Sequence, residues 1–204
     1  MDDLLRPSKN CPRYKAMLRE LWTTRAAPEV IEEKTKYAAF WNELRRNVGL
    51  PPDTPLQDLE FVSDTLFVER SNNLTLPSWV TQSIYEHLME FSHGLQFSSL
   101  FYNRTLARLA GGNLLNEMRE NMIKKLSKLA DDKPKRMYVY SAHDNTVAAL
   151  LATLKLFNNL IPTYASAVMV ELWENDAGVR FWRTSAVLFL FLNASSYLYK
   201  RVCL

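Results

Sequence analysis

Apolar residues in the first 130 positions recur at three- and four-residue spacing, the pattern of helices with one buried face. Pro28 can open such a helix, and Gly49 ends it. Thr54–Pro55 has the composition of a cap and first helical position for a second helix. A third helix is predicted to begin at Leu76–Ser78, and a fourth after Gly111–Asn113. Residues 1–130 are therefore predicted to be mainly helical.

The pattern changes after residue 130. Met137–Tyr140 is a short apolar run rich in strand-forming residues, which predicts a strand. The stretch Val147–Phe157 predicts a helix packed on a sheet. Ala167–Trp173 and Val179–Trp182 predict a hairpin around the turn residues Asn175–Gly178. Residues 131–183 are therefore predicted to belong to an α/β domain.

The two chain ends carry less information. Ala186–Leu192 is continuously apolar, but it is much shorter than the roughly 20 residues of a membrane-spanning helix. We therefore predict a buried strand or an irregular segment within a divergent apolar tail, residues 184–204. Met1–Pro7 lacks the apolar core of a signal peptide, so none is predicted at this end.

Composition excludes some functions and leaves others open. The 204 residues are 48% hydrophobic and 23% charged, with a net charge of +3, so a soluble domain is expected and nucleic acid is not an expected partner. Cys11 and Cys203 are too few for a disulfide framework, and whether they pair is left open. Sequons at Asn73, Asn103 and Asn193 hint only weakly at a secreted glycoprotein.

The candidate chemistry lies at Ser141–Asp144, between a predicted strand and a predicted helix. A helix N-terminus attracts anions, His143 can donate a hydrogen bond to a phosphate oxygen, and Asp144 can protonate a leaving alkoxide. A plain helix cap is the competing interpretation. A triad of Ser141, His143 and Asp144 is disfavoured because near-contiguous residues rarely converge. A metal site is also disfavoured, because no second ligand cluster accompanies His143.

Several segments resemble the histidine acid phosphatases of the prostatic and lysosomal type. They are, in chain order, Asn10–Tyr14, Asn73–Trp79, Gly111–Glu117, Tyr140–Val147 and Pro162–Ser166. The resemblance implies an α/β fold with a helical cap. It also implies acid hydrolysis of phosphate monoesters in a lysosomal or extracellular setting, without a metal or organic cofactor. By the same resemblance, His143 is the phosphate-binding histidine and Asp144 the proton donor.

The sequence departs from that family at the nucleophile. The family attacks phosphorus with the histidine of an Arg-His-Gly motif, whereas His87, His93 and His143 all lack that context. We interpret His87 and His93 as ordinary helix or surface histidines. The chain is thus expected to be the C-terminal part of the fold, without the N-terminal strands, and weakly active or inactive. The alternative is a non-catalytic remnant that binds phosphate or a protein.

Two further expectations follow from the resemblance. The family pairs the cysteine matched by Cys11 with one at the position of Ala167, so the state of Cys11 is left open. Strands without their neighbours would leave an open sheet edge, through which copies of the chain are expected to associate.

Overall fold

The structure, a computed structural model, describes the backbone of residues 2–6, 11–24, 26–127, 135–190 and 194–203. Its α-helices are α1 (Asp2–Leu5), α2 (Pro12–Trp22), α3 (Pro28–Lys36), α4 (Ala38–Asn47), α5 (Glu60–Ser71), α6 (Gln82–Met89), α7 (Phe97–Ser99), α8 (Arg104–Leu126) and α9 (Asp144–Thr153). A 3-10 helix spans Leu56–Leu59, and a π-helix spans Glu90–Gln96. The strands are β1 (Ala167–Glu174), β2 (Arg180–Leu190) and β3 (Ala194–Cys203).

The chain divides into two compact units. We call Pro12–Tyr102 the helical unit, and Met1–Cys11 with Asn103–Leu204 the His143 unit. The domain boundary predicted at residues 130–131 lies outside the described residues and stays a prediction. The sequon at Asn193 and the side chain of Cys203 also lie outside what the structure describes.

Buried aromatic side chains form the centre of the helical unit. Trp22 and Trp41 are 2% and 1% exposed, and both rings contact Phe91, at centroid distances of 6.2 and 4.5 Å. Two buried aromatic side chains of this core have hydrogen-bond partners for their polar atoms. Trp22 Nε1 donates to Ser99 Oγ at 3.2 Å, and Tyr14 donates through its hydroxyl to the Leu100 carbonyl at 3.0 Å. Burial and satisfied donors together stabilise this core.

The helices predicted for this unit are confirmed, but their first and last residues differ from the predicted ones. The single helix predicted from Pro28 is two helices, because Tyr37 has φ −106° and ψ 19° and interrupts the ladder. The helix predicted from Leu76–Ser78 begins only at Gln82. Its cap is Thr81, whose hydroxyl accepts from Ile84 N at 3.3 Å. The Thr81 hydroxyl satisfies one of the N–H groups at the start of the helix, which a proline ring cannot do.

Gly111 lies inside a helix, so the prediction that Gly111–Asn113 introduces the fourth helix is wrong. Helix α8 begins at Arg104 and continues through both glycines. Its N-cap is Asn103, whose side chain accepts from Thr105 N and Leu106 N, both at 3.0 Å. A contact with another helix explains why residue 111 is a glycine. An added Cβ would collide with the Ala149 carbonyl of α9. A residue that breaks isolated helices here permits close packing of two helices.

Helix α9 lies where the sequence predicts one. Ala148, Ala149 and Leu151 are at most 1% exposed. Thr153 donates through its hydroxyl to the carbonyl of Ala107, at 2.8 Å, which ties the two helices together. Leu151 also packs against Val168 of β1, so α9 contacts a sheet strand as well as α8.

The sheet is a three-stranded antiparallel meander in the order β1-β2-β3. The predicted hairpin is confirmed: Glu174 is opposite Arg180, and Asn175 N donates to the Val179 carbonyl at 2.9 Å. Gly178 supplies the positive φ of 74° that this turn requires. The tail is more regular than an irregular segment, because β2 continues to Leu190 and β3 pairs along it. The side chains beyond residue 185 are not described.

The predicted strand at Met137–Tyr140 is wrong. These residues are extended but belong to no strand among the described residues. Met137 and Val139 are 75% and 77% exposed. A strand exists only when another backbone accepts and donates its hydrogen bonds, and apolar composition by itself does not supply that partner. The unit still combines helices with a sheet, as a partial α/β fold does, and the sheet of its described residues is antiparallel.

Candidate functional site at the start of helix α9

His143 is the N-cap of α9, and its backbone makes the cap. Its φ of −105° and ψ of 166° are extended, as a cap requires. The His143 N–H donates to Thr146 Oγ1 at 3.3 Å, and its carbonyl accepts from Thr146 N at 3.1 Å. Because Thr146 supplies the cap's side-chain hydrogen bond, the imidazole of His143 is left for other contacts.

Both residues of the predicted pair are exposed to solvent. Asp144 occupies the first position of α9, where a carboxylate stabilises the positive end of the helix dipole. Its Oδ1 accepts from Asn145 N at 2.6 Å, so one carboxylate oxygen is held close to the helix start. The pair therefore offers an imidazole and an acid next to the N–H groups of α9.

Arg6 is the residue of this site that sequence reasoning missed. Its Nε donates to His143 Nε2 at 3.2 Å. The two residues are 137 positions apart, and no motif marks Arg6. Spatial pairs of this kind have no signature in a single sequence, so nothing short of the fold could have found this arginine.

Tyr140 anchors the segment that leads into the site. Its hydroxyl accepts from Asn121 Nδ2 of α8 at 3.1 Å, and Asn121 is buried. Partial burial raises the pKa of Tyr140 above its ordinary value of 10.0, and the bond from Asn121 works in the opposite direction. The anchor holds the extended residues before His143 against α8.

The other two histidines differ from each other. His87 is not a surface residue, since its side chain is only 17% exposed and Nε2 lies 3.0 Å from Glu33 Oε1. The ring of Tyr37 lies beside it, with a centroid distance of 4.2 Å. His93 lies in the π-helix beside the ring of Phe67, as a half-buried helix residue. Both histidines lie in helices, as the interpretation of ordinary helix or surface histidines allows, and His87 is in addition packed and partnered.

The disfavoured alternatives gain nothing from the geometry. Among the described residues, no three or more His, Cys, Asp or Glu side chains gather as metal ligands. His143 Nε2 contacts Arg6 and Asp144 contacts its own helix start, so the described contacts do not link Ser141, His143 and Asp144 into a triad.

Comparison with known proteins decides the family. Residues 1–187 match the family described as the histidine phosphatase superfamily, branch 2. The chain belongs to this family. It is 36% identical to human lysosomal acid phosphatase over 181 residues, covering 87% of this chain and 41% of that protein. It is 34% identical to mouse prostatic acid phosphatase over 177 residues, 84% of this chain and 44% of that protein.

A third relative is a putative acid phosphatase 5 of Caenorhabditis elegans, 33% identical over 172 residues, or 84% of this chain and 39% of the relative. The chain thus spans about two fifths of the length of the curated relatives it matches. Within the described part of the chain, no helix has both the length and the apolar composition needed to cross a bilayer.

Proposed function

We propose that this chain carries part of the site of an acid phosphatase that hydrolyses phosphate monoesters. His143 binds the phosphoryl group, and Asp144 protonates the leaving oxygen. One observation carries the proposal: the imidazole and the carboxylate both lie exposed at the N-terminus of α9. The matches to acid phosphatases over most of this chain support it.

The chemistry of phosphoryl transfer suits this arrangement. Negative charge on the phosphoryl oxygens needs fixed donors, which an imidazole N–H and the N–H groups of α9 supply. The departing alkoxide needs a proton, and a carboxylic acid beside the phosphoryl group can give it. Asp144 is then deprotonated when the bond from phosphorus to the leaving oxygen has broken.

The nucleophile is the part that the 204 residues do not supply in the family's form, because none of the three histidines lies in an Arg-His-Gly motif. We therefore expect weak or no hydrolysis by this chain by itself. That same absence favours a second candidate, a non-catalytic module that binds phosphate or a protein. The two candidates share His143 as a phosphate contact and differ in turnover.

The deciding experiment measures hydrolysis of an aryl phosphate at acid pH by the chain and by His143→Ala. His93→Ala is the matched control, because it removes a half-buried histidine from the helical unit. Activity that falls with His143→Ala and not with the control supports the enzyme. Equal background rates favour the binding module.

Binding is measured separately with inorganic phosphate, by NMR of the histidine rings. We expect phosphate to perturb the His143 ring and to leave that of His93 unchanged. A His143 ring that phosphate leaves unperturbed at saturating concentrations would refute the enzyme and the phosphate-binding form of the module, and would leave only a module that binds a protein.

Asp144 has its own test where turnover is measurable. Asp144→Asn should slow an alkyl phosphate much more than a nitrophenyl phosphate, because a poor leaving group depends on the proton. Equal slowing of both substrates would remove Asp144 from the role of proton donor.

The setting of the protein is also a proposal. Names such as lysosomal and prostatic acid phosphatase suggest a lysosomal or extracellular location. The sequons at Asn73 and Asn103 agree with passage through the secretory pathway, but Asn103 already uses its side-chain carbonyl to cap α8. Association of copies through an unpaired edge remains a prediction, testable by sedimentation.

A further inference from the structure

The contact between Arg6 and His143 is an unusual use of two basic side chains. A guanidinium has only donors, so its bond at 3.2 Å requires that Nε2 of His143 be an acceptor. The ring is then neutral with its proton on Nδ1. Two groups that both attract anions thus lie within hydrogen-bond distance, next to the N-terminus of a ten-residue helix.

Thr146, which completes the cap of α9, also holds Arg6 in place. Thr146 is 3% exposed, accepts from the His143 N–H and donates to the carbonyl of Leu5. The backbone of α1 is therefore fixed against the first turn of α9, and the next residue along the chain is Arg6. A buried threonine that bonds both segments makes the position of the arginine a property of the fold.

We propose that Arg6 is a second phosphate-binding residue, and that it occupies the place of the anion on His143 while the site is empty. This rests on the proposed function of His143. A phosphate oxygen that arrives between the two side chains replaces their direct bond and accepts a hydrogen bond from the guanidinium. It accepts a second one from Nε2 when the ring proton has moved from Nδ1 to Nε2 by exchange with solvent.

Arginine suits this role better than lysine. A guanidinium presents five N–H donors in a planar fork that matches phosphate oxygens, whereas an ammonium is a point charge. The motifs that resemble the family do not include position 6. An anion site that includes Arg6 has one more cationic donor than a site formed by His143 and the N-terminus of α9.

The first measurement is the affinity for inorganic phosphate at low ionic strength, followed through the His143 ring signals. Arg6→Gln should weaken binding about tenfold, the loss of one charge-assisted hydrogen bond at an exposed site. Arg6→Lys should recover part of the loss. Arg119→Gln is the control, because it removes an exposed arginine of α8 that pairs with Glu120.

The second measurement is independent of phosphate and of activity. On the alkaline side of neutrality, the nitrogen signals of the ring report which nitrogen carries the proton. The unmodified chain should show His143 with its proton on Nδ1. Arg6→Gln should give a mixture of the two tautomers, and Arg119→Gln should not.

The outcomes separate this inference from the proposed function. If His143→Ala abolishes phosphate binding while Arg6→Gln behaves as Arg119→Gln does, Arg6 has no part in the site and the inference is overturned. An unchanged tautomer in Arg6→Gln overturns it as well. If phosphate never perturbs His143, the proposed function fails, and the tautomer measurement still decides whether Arg6 holds the ring.

Discussion

The two units treat a histidine in opposite ways. In the helical unit, the side chain of His87 is 17% exposed, with Glu33 beside its Nε2 and the rings of Tyr37, Phe40 and Trp41 around it. In the His143 unit, the histidine at the start of α9 is exposed and touches an arginine. The first imidazole is packed among rings, and the second faces solvent and a guanidinium.

The difference arises from what surrounds each ring. Glu33 Oε1 accepts from Trp41 Nε1 at 2.9 Å and lies 3.0 Å from His87 Nε2, so one carboxylate oxygen satisfies two buried groups. His143 has a backbone cap, a threonine beneath it and solvent beside it. Histidine by itself is therefore no indicator of function, and its burial and partners decide between structure and chemistry.

The largest expected effect is loss of the aromatic core of the helical unit. Trp41→Ala should lower the free energy of unfolding by about 3–5 kcal/mol, because it empties a fully buried site. Trp173→Ala is the control: that ring is 44% exposed on β1 of the other unit. Thermal or urea unfolding followed by circular dichroism measures both. Similar losses of stability for the two substitutions would mean that the different burial of the two tryptophans does not affect the free energy of unfolding.

A second substitution pair tests the contact that places α9. Gly111→Ala should cost about 2–3 kcal/mol, since its Cβ would meet a rigid backbone carbonyl and lie 2.5 Å from Thr153 Oγ1. Gly112→Ala meets only Arg108 Cγ, at 3.4 Å, and should stabilise α8 by up to about 1 kcal/mol through helix propensity. Urea unfolding of both variants decides. If both glycines tolerate alanine, α8 and α9 are not closely packed at this point.

The carboxylate shared by Trp41 and His87 gives a third, smaller effect. Glu33→Ala should destabilise the chain by about 1–3 kcal/mol, because it leaves polar groups of two largely buried rings without their partner. Glu32→Ala is the neighbouring control, since Glu32 is exposed and pairs with the exposed Lys36. Equal melting temperatures for the two variants would show that the shared carboxylate is dispensable.

The smallest effect is an alkaline one in the His143 unit. Burial raises the folded-state pKa of Tyr140 above 10.0, so its neutral form favours folding. That stability is complete below the unfolded pKa and is lost as the pH rises through the folded value. Tyr140→Phe should therefore show a shallower loss of stability above about pH 10.

Absorbance titration of tyrosinate provides the direct measurement for this residue. The latest-titrating component should shrink in Tyr140→Phe. Tyr85 of the helical unit is the comparison, because burial raises its pKa too, while Arg70 opposes the shift. A loss of absorbance confined to the early part of the curve in Tyr140→Phe would contradict the raised pKa of Tyr140.

Much of the helical unit could be predicted from periodicity, because a repeat near 3.6 residues records which face of a helix is buried. The ends were less predictable: Tyr37 divides one predicted helix, and Thr81 caps another later than the proline suggested. The hairpin between β1 and β2 was predictable because its turn chemistry is local. The position of the pair His143–Asp144 at the start of a helix was predictable for the same reason.

The sequence by itself determined the family resemblance, the helix faces, the hairpin and the position of the candidate pair. Only the tertiary structure decided that Met137–Tyr140 is not a strand, that Gly111 lies inside a helix and that Arg6 touches His143. These three depend on groups far apart in the chain. Local composition fixes dihedral preferences and turn chemistry, whereas a partner backbone, a close helix contact or a distant guanidinium is present only when the whole chain has folded.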